Sequence, residues 1–425
     1  VGLVLSDMIG SGVFLSTGFM AQDMGPGVLL LCWLVGALLA LFGARAYAEV
    51  AQRVPRSGGE YRYLSELWHP ALGYLAGWAS LLLGFSAPLA VDAVAAGSFA
   101  RTVGSPISAE TFGAIMLVLL TGLHTLGWRS SRWTQNGLAA LKVVLMAGFL
   151  GVGLIAGEHH WPTWTPPHAS VGFPLAAFAS SLFYVGFAFS GWNAAIYAAE
   201  EFEQPTRDVP RAMLIGCAGV GLLYMLVNWV FVANLGPAQA SVVFGYDTDR
   251  VTLGHVILRN LVGDGGSKVM SVVILLLLLS AMSAMIFTGP RVYASMARDG
   301  FLPKALASKD ERPPPLSMWI QSALALVLIY THSLQEVLQN VGALLTLFAA
   351  LTAGSLLWVR FARPDLPRPS LGGMLAAFIY VAASAWMFYF GFFGPRASPR
   401  LLIWVGGVAA FALIAYAWTR RRQLA

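Results

Sequence analysis

Beyond its opening block, eleven stretches of this chain run for 15 residues or more without a single Asp, Glu, Lys or Arg: 24–44, 70–91, 111–128, 143–157, 170–199, 212–246, 269–290, 313–335, 337–359, 369–395 and 401–419. Most reach the roughly 20 apolar residues that a helix needs to cross hydrocarbon, and no water-soluble domain can hide that many in one core. The opening block 1–20 holds only Asp7 and reads as a further span, while the block 134–157 stays apolar around Lys142. The sequence therefore predicts an all-α polytopic membrane protein with twelve transmembrane helices. Composition agrees, with 57% hydrophobic and 11% charged residues among 425. Cys32 and Cys217 both lie inside apolar blocks, which leaves no material for a disulfide framework or a thiolate metal site. The net charge is +6, but the basic residues are dispersed between spans and form no stripe, so no nucleic acid partner is expected. The chain opens at Val1 inside apolar sequence, from which a cytoplasmic leader upstream is expected rather than a cleavable signal peptide.

Loops on the cytoplasmic side carry an excess of Lys and Arg. Sorting the 26 basic residues by alternate loops places eighteen on one side, among them Arg53, Arg56, Arg62, Arg129, Lys304, Lys309 and Arg363, and six on the other, with Arg45 and Lys142 inside spans. A multi-pass protein of the cell (inner) membrane with both termini cytoplasmic follows. Arg45 lies near the cytoplasmic end of its span, where its stem can snorkel. The segment 251–262 is expected as a short helix on the outer face. No appended soluble domain is visible.

Glycine-rich interruptions at mid-depth are tolerable only where protein or a watery cavity surrounds the backbone they release. Two occur, IGSG at 9–12 and GFAFSG at 186–191, each in the first helix of a five-helix set. That is the arrangement of inverted-topology repeats whose discontinuous helices form a midplane site. Freed N–H groups suit a carboxylate and freed carbonyls an ammonium, so a zwitterion fits both. Close helix packing through small residues is the competing explanation of the same glycines.

DMIGSGVF at 7–14, VPRSGGEYRYL at 54–64, FAFSGWNAAIYAAEEFEQPTRDVPRA at 187–212 and IFTGPRVYASMARDGFLPKAL at 286–306 together resemble the amino acid–polyamine–organocation (APC) transporter family, in particular its bacterial members similar to the L-amino acid transporter branch. The resemblance implies a LeuT-like fold with a 5+5 inverted repeat and broken helices 1 and 6. Residues 1–157 would form the first repeat, 171–359 the second, and 374–419 would hold the last two spans. It further implies alternating access and amino acid transport, by exchange (an antiporter) or with proton coupling.

Carried onto this chain, the resemblance gives Ser11 and Gly12 as N–H donors to the substrate carboxylate and Met8 and Ile9 as carbonyls near the amine. Phe187, Ala188 and Ser190 act similarly from the sixth span, Phe187 also standing where relatives hold an aromatic gate. Asn193 occupies a polar place by the same break, and where some relatives have Asp its amide cannot carry a proton. Lys142, in the context of Gln135 and Asn136, sits where sodium-dependent relatives bind an ion and reaches toward the first helix, which implies sodium-independent transport. A midplane Lys costs roughly 2.5–3.5 kcal/mol unless paired or hydrated, so Lys142 must point inward or snorkel. Asp7 is open to three readings: contact with a basic substrate, proton carriage, or simple exposure to cytoplasmic water. Asp92 either faces inward or lies near an outer vestibule. Asp7, Asp92, Lys142 and Phe187 are thus the coupling or gating candidates. Glu200, Glu201 and Glu203 are expected to form a charge cluster with Arg207 and Arg211.

No HExxH, GxSxG or clustered His and Asp set is present, so an enzyme is not expected, nor a metal or other cofactor. The expected partners are an amino acid, neutral in preference, together with membrane lipid and protons; no obligate protein partner is evident. A polyamine or cationic amino acid is the alternative cargo, but it would need more carboxylates than the binding spans supply.

Overall fold

Helix boundaries fall at residues that cannot continue a helix or that cap one. Pro26, Pro70, Pro205, Pro237 and Pro315 each take the first helical position, where a missing N–H costs nothing. Ser108, Ser333 and Ser370 accept backbone N–H groups as N-caps, Ser333 in a capping box with Glu336. The structure, a computed structural model, describes residues 1–126, 132–169, 171–197, 199–246, 250–307, 314–394 and 399–424, and among these there is no strand. The helices are α1 (Gly2–Met8), α2 (Gly12–Met20), α3 (Pro26–Arg53), α4 (Glu60–Leu67), α5 (Pro70–Ala79), α6 (Ser86–Thr102), α7 (Ala109–Thr125), α8 (Arg132–Ala156), α9 (Leu175–Ala188), α10 (Ala194–Tyr197), α11 (Pro205–Ala233), α12 (Pro237–Gly245), α13 (Leu253–Arg298), α14 (Pro315–Thr331), α15 (Leu334–Ala362), α16 (Leu371–Phe393) and α17 (Pro399–Leu424). A π-helical stretch, Ser80–Gly84, joins α5 to α6.

Six helical segments of the described residues are long and apolar enough to cross a membrane: Pro26–Arg53, Pro70–Thr102, Pro205–Ala233, Leu253–Arg298, Leu334–Ala362 and Leu371–Phe393. Shorter apolar helices accompany them at Ala109–Thr125, Ala140–Ala156, Leu175–Ala188, Pro315–Thr331 and Ile403–Ala417. Some charge-free runs are longer than the helices inside them. The run 212–246 is divided at Asn234–Gly236, where α11 ends and Pro237 starts α12. The segment 251–262 is helical from Leu253, as expected, but bends back at Gly263 (φ 74°), and His255 Nδ1 lies 2.8 Å from Ser271 Oγ on the following stretch.

The first long helix, α3, packs most extensively on α11; α6 packs on α13, α7 on α14, and α2 on α9. The loop before α4 turns through Gly58 (φ 131°) and Gly59 (φ 66°), in backbone regions open to glycine. It delivers Arg62 to Asp299 at 2.9 Å, just past α13, and Tyr61 OH also hydrogen-bonds that carboxylate. Partial burial pushes the Asp299 carboxyl above its ordinary value, against the opposing pull of the Arg56 charge. Arg45 does not merely snorkel: it pairs with Glu49 at 2.9 Å and donates to Ser370 Oγ at 3.1 Å, fastening the end of α3 to the start of α16. The expected Glu200–Glu203 cluster differs. Among the described residues no ion pair joins Glu200 or Glu203 to Arg207 or Arg211; the Glu200 backbone N–H donates to Ser57 Oγ, and the Arg207 guanidinium donates to Gln204. The side chain of Glu201, those of Gln135 and Asn136, and Arg129, Lys309 and Arg312 lie outside the described residues.

Candidate functional site

The first break is short. α1 ends at Met8, Ile9 leaves helical geometry (φ −76°, ψ 88°), and α2 starts at Gly12. Backbone released in a dry interior must find partners, and three side chains from distant helices supply them. Lys142 Nζ, on α8, donates to the Ile9 carbonyl at 3.2 Å. Tyr224 OH, on α11, donates to the Met8 carbonyl at 2.6 Å. Asp92 Oδ1, on α6, accepts from the Ser11 N–H at 3.3 Å. Lys142 and Asp92 are each only 1% exposed. The Lys142 ammonium lies within electrostatic reach of both Asp92 and Asp7.

Lys142 therefore points inward and bridges to the first break, rather than snorkelling, and Asp92 faces the break rather than an outer vestibule. Both reach it because α1 packs on α8 and on α11 while α6 borders the same space. A deeper layer braces the site: Trp33 Nε1 donates to Thr17 Oγ1 at 3.1 Å, and Thr17 hydrogen-bonds Asn228. Tyr224, Trp33 and Asn228 carry no sequence signal that sets them apart from core residues.

The second break runs from Phe189 to Asn193, slightly later than the GFAFSG motif, since α9 continues through Ala188. Gly191 has φ 101°, and a Cβ there would collide with the Asp7 backbone and carboxylate. A Cβ on Gly12 would overlap the Ala188 backbone. The two broken helices thus touch where each is interrupted: Gly12 and Gly191 permit close packing, and that packing is what brings the two breaks face to face.

Asp7 lies against Gly191 and lines a cavity of about 80 Å³ with Ser80, Ser190, Asn193, Tyr197 and Glu60. The π-helical stretch between α5 and α6 thus faces this cavity, a placement frequent at functional sites. Asn193 Nδ2 donates to Glu60 and to Tyr197 OH at 3.1 Å, Tyr197 OH to Glu60 Oε2 at 2.9 Å, and Tyr47 OH to Glu60 Oε1 at 3.2 Å. Glu60 was not singled out from sequence, because an acid opening a short helix after Gly58 and Gly59 looks like an ordinary surface helix start. Its burial is a tertiary outcome.

Phe187 is buried in the last turn of α9 beside Gly342 of α15, and its carbonyl accepts from the Ser190 N–H at 2.9 Å. It is not among the residues lining the cavity. A larger cavity of about 490 Å³, bordered by Arg101, Glu110 and His332, includes no residue of either break.

Two interrupted helices meeting in an apolar bundle, with buried carboxylates and an ammonium on their released backbone, define a multi-pass membrane carrier rather than an enzyme. Residues 1–415 match the family model described as amino acid permease, and the chain belongs to that family of amino acid transporters. It is similar to the large neutral amino acids transporter small subunit 2 of Mus musculus, 27% identical over 407 residues that cover 92% of this chain and 74% of the relative. It is similar also to the Asc-type amino acid transporter 1 of the same organism, 28% identical over 416 residues with the same coverage. The b(0,+)-type amino acid transporter 1 of Mus musculus is 26% identical over 381 residues, 86% of this chain and 76% of the relative. The first of these relatives is by name a small subunit, which runs against the expectation that no protein partner is needed.

Proposed function

We propose that this chain carries neutral amino acids across the cell membrane by sodium-independent alternating access, as an exchanger or with proton coupling. The observation that carries the reading is the Lys142 ammonium on the Ile9 carbonyl at 3.2 Å, a fixed positive charge at the break where a metal cation would otherwise serve. Neutral cargo is favoured by the name of the first relative, a transporter of large neutral amino acids. The twelve-span layout, with inverted repeats over 1–157 and 171–359, spans eleven and twelve in 374–419 and both termini cytoplasmic, is part of this proposal. It is supported by the pairing of helices that would be equivalent in the two repeats: α2 with α9, α3 with α11, α6 with α13 and α7 with α14. Met8, Ile9, Ser11 and Gly12 from the first break, with Ala188, Ser190 and Asn193 from the second, are the proposed substrate contacts. Asp7, Asp92 and Lys142 are the proposed coupling groups.

Backbone groups at the first break see only the part common to all amino acids. Blocking the carboxylate should therefore weaken binding more than changing the side chain. Competition in proteoliposomes by leucine, its methyl ester and the decarboxylated amine is expected to rank leucine far ahead. Equal competition by the three removes the zwitterion site, and strong competition by lysine or a polyamine in place of leucine moves the cargo to the cationic alternative. Replacing sodium by choline is expected to leave uptake unchanged.

Phe187 is the proposed occluding ring. Phe187→Ala should impair exchange even where substrate still binds, with Tyr or Trp milder. A ring that only packs would show instead as lost stability of roughly 3–5 kcal/mol with normal turnover per folded molecule.

A further inference from the structure

We propose that Asp92 is an internal stand-in for the substrate carboxylate: it accepts the Ser11 N–H that the cargo needs, and yields that donor by taking up a proton. The inference rests on the reading of the first break as the amino acid site. Three observations meet at Asp92. Its Oδ1 accepts from the Ser11 N–H at 3.3 Å although the two residues are 81 positions apart. Both carboxylate oxygens lie close to Gly10 as well, 3.8 and 3.9 Å from where a Cβ there would stand, so the carboxylate lies over the released backbone as a substrate's own carboxylate would. Its carboxylate also faces the Ser11 hydroxyl, so that both polar groups of Ser11 are turned to it in a place shut off from water.

An arriving amino acid brings a second carboxylate to the same donor. Two carboxylates in one dry site cannot both stay ionised, so one takes a proton. The titratable groups that interact with Asp92 are Lys142 on α8, Asp7 on α1 and Tyr224 on α11. Lys142 is already engaged with Ile9, and Asp7 lies against the second break at Gly191, which leaves Asp92 as the carboxylate in direct competition. The step is a simple protonation: a proton from water joins the Asp92 carboxylate as the substrate binds and leaves when it departs. Asp92 then links amino acid binding to proton uptake without any role for Asn193, whose amide cannot titrate.

The test is isothermal titration of the purified full chain with leucine in two buffers of different ionisation enthalpy, repeated from acid to neutral pH. The parent protein should take up about one proton per leucine, with affinity falling about tenfold per pH unit where Asp92 is ionised. Asp92→Asn should bind leucine with no proton uptake and a pH-independent affinity, and Asp92→Ala, which frees the Ser11 N–H outright, should do the same. Leucine binding by the parent without proton uptake overturns the proposal, as does undiminished uptake in a folded variant. Should both variants fail to fold, the parent's proton count decides by itself. Absence of any amino acid binding by the parent rejects the transport reading together with this one, so the two failures are told apart.

Discussion

Lys142→Ala is expected to lower amino acid uptake per folded molecule by at least about 100-fold, since it unties the broken first helix from α8 and a misplacement of about 1 Å at a site costs on that order. The alanine removes the donor to the Ile9 carbonyl and, with it, the positive charge facing Asp7 and Asp92. Two carboxylates would then share the break with no counter-charge on α8. The substrate ammonium can answer one of them but cannot hold α1 to α8. The measurement is uptake in proteoliposomes beside thermal stability in detergent. Near-normal uptake by a folded mutant removes Lys142 from the mechanism, whereas a mutant that is inactive but inserted agrees with it. Alanine is preferable to methionine, whose longer stem keeps much of the packing and so dilutes the result.

Gly12→Ala should be strongly damaging for the addition of a single methyl. The added Cβ would overlap the Ala188 backbone, which cannot move aside as the end of a flexible side chain can. Overpacking typically costs about 1–3 kcal/mol, and more where backbone must shift. Because the overlap lies where the two breaks face each other, the variant should lose transport by about tenfold or more even where it remains folded. Gly10→Ala, two residues earlier, is the control: its Cβ would meet nothing nearer than the Asp92 oxygens at 3.8 Å, an ordinary contact. Melting temperatures of both variants, with leucine uptake, separate the cases. Equal stability and uptake for Gly12→Ala and the parent would mean that the two broken helices are not in the contact described.

The two positions look alike in sequence, as the two glycines of IGSG, and no pattern-based argument ranks them. The same limit applies to Glu60 and Asn193. Each is a single polar residue in a plausible loop or helix end, and the hydrogen bonds that join them cross 133 residues of chain. Phe187 shows the converse: its motif is plain, yet its Cβ lies against Gly342 of α15 and the residue is not among those lining the cavity. The break starts only after Ala188, two residues past Gly186, the first glycine of GFAFSG, because Phe187 and Ala188 extend α9, and Gly191 supplies the positive φ within the break.

Apolar length and the two helix interruptions were legible in the sequence alone, because each depends on residues close together along the chain. Lys142 was legible as well, since an ammonium at mid-span has few places to go. What only the tertiary structure decided is which groups satisfy the released backbone. The partners of Met8, Ile9 and Ser11 are Tyr224, Lys142 and Asp92, lying 216, 133 and 81 residues away. A broken helix in a dry interior requires partners but does not specify them. That choice is made by the packing of α1 on α8 and α11 and by the place of α6 beside them, and it leaves the donor best suited to a substrate carboxylate in the hold of a carboxylate of the protein's own.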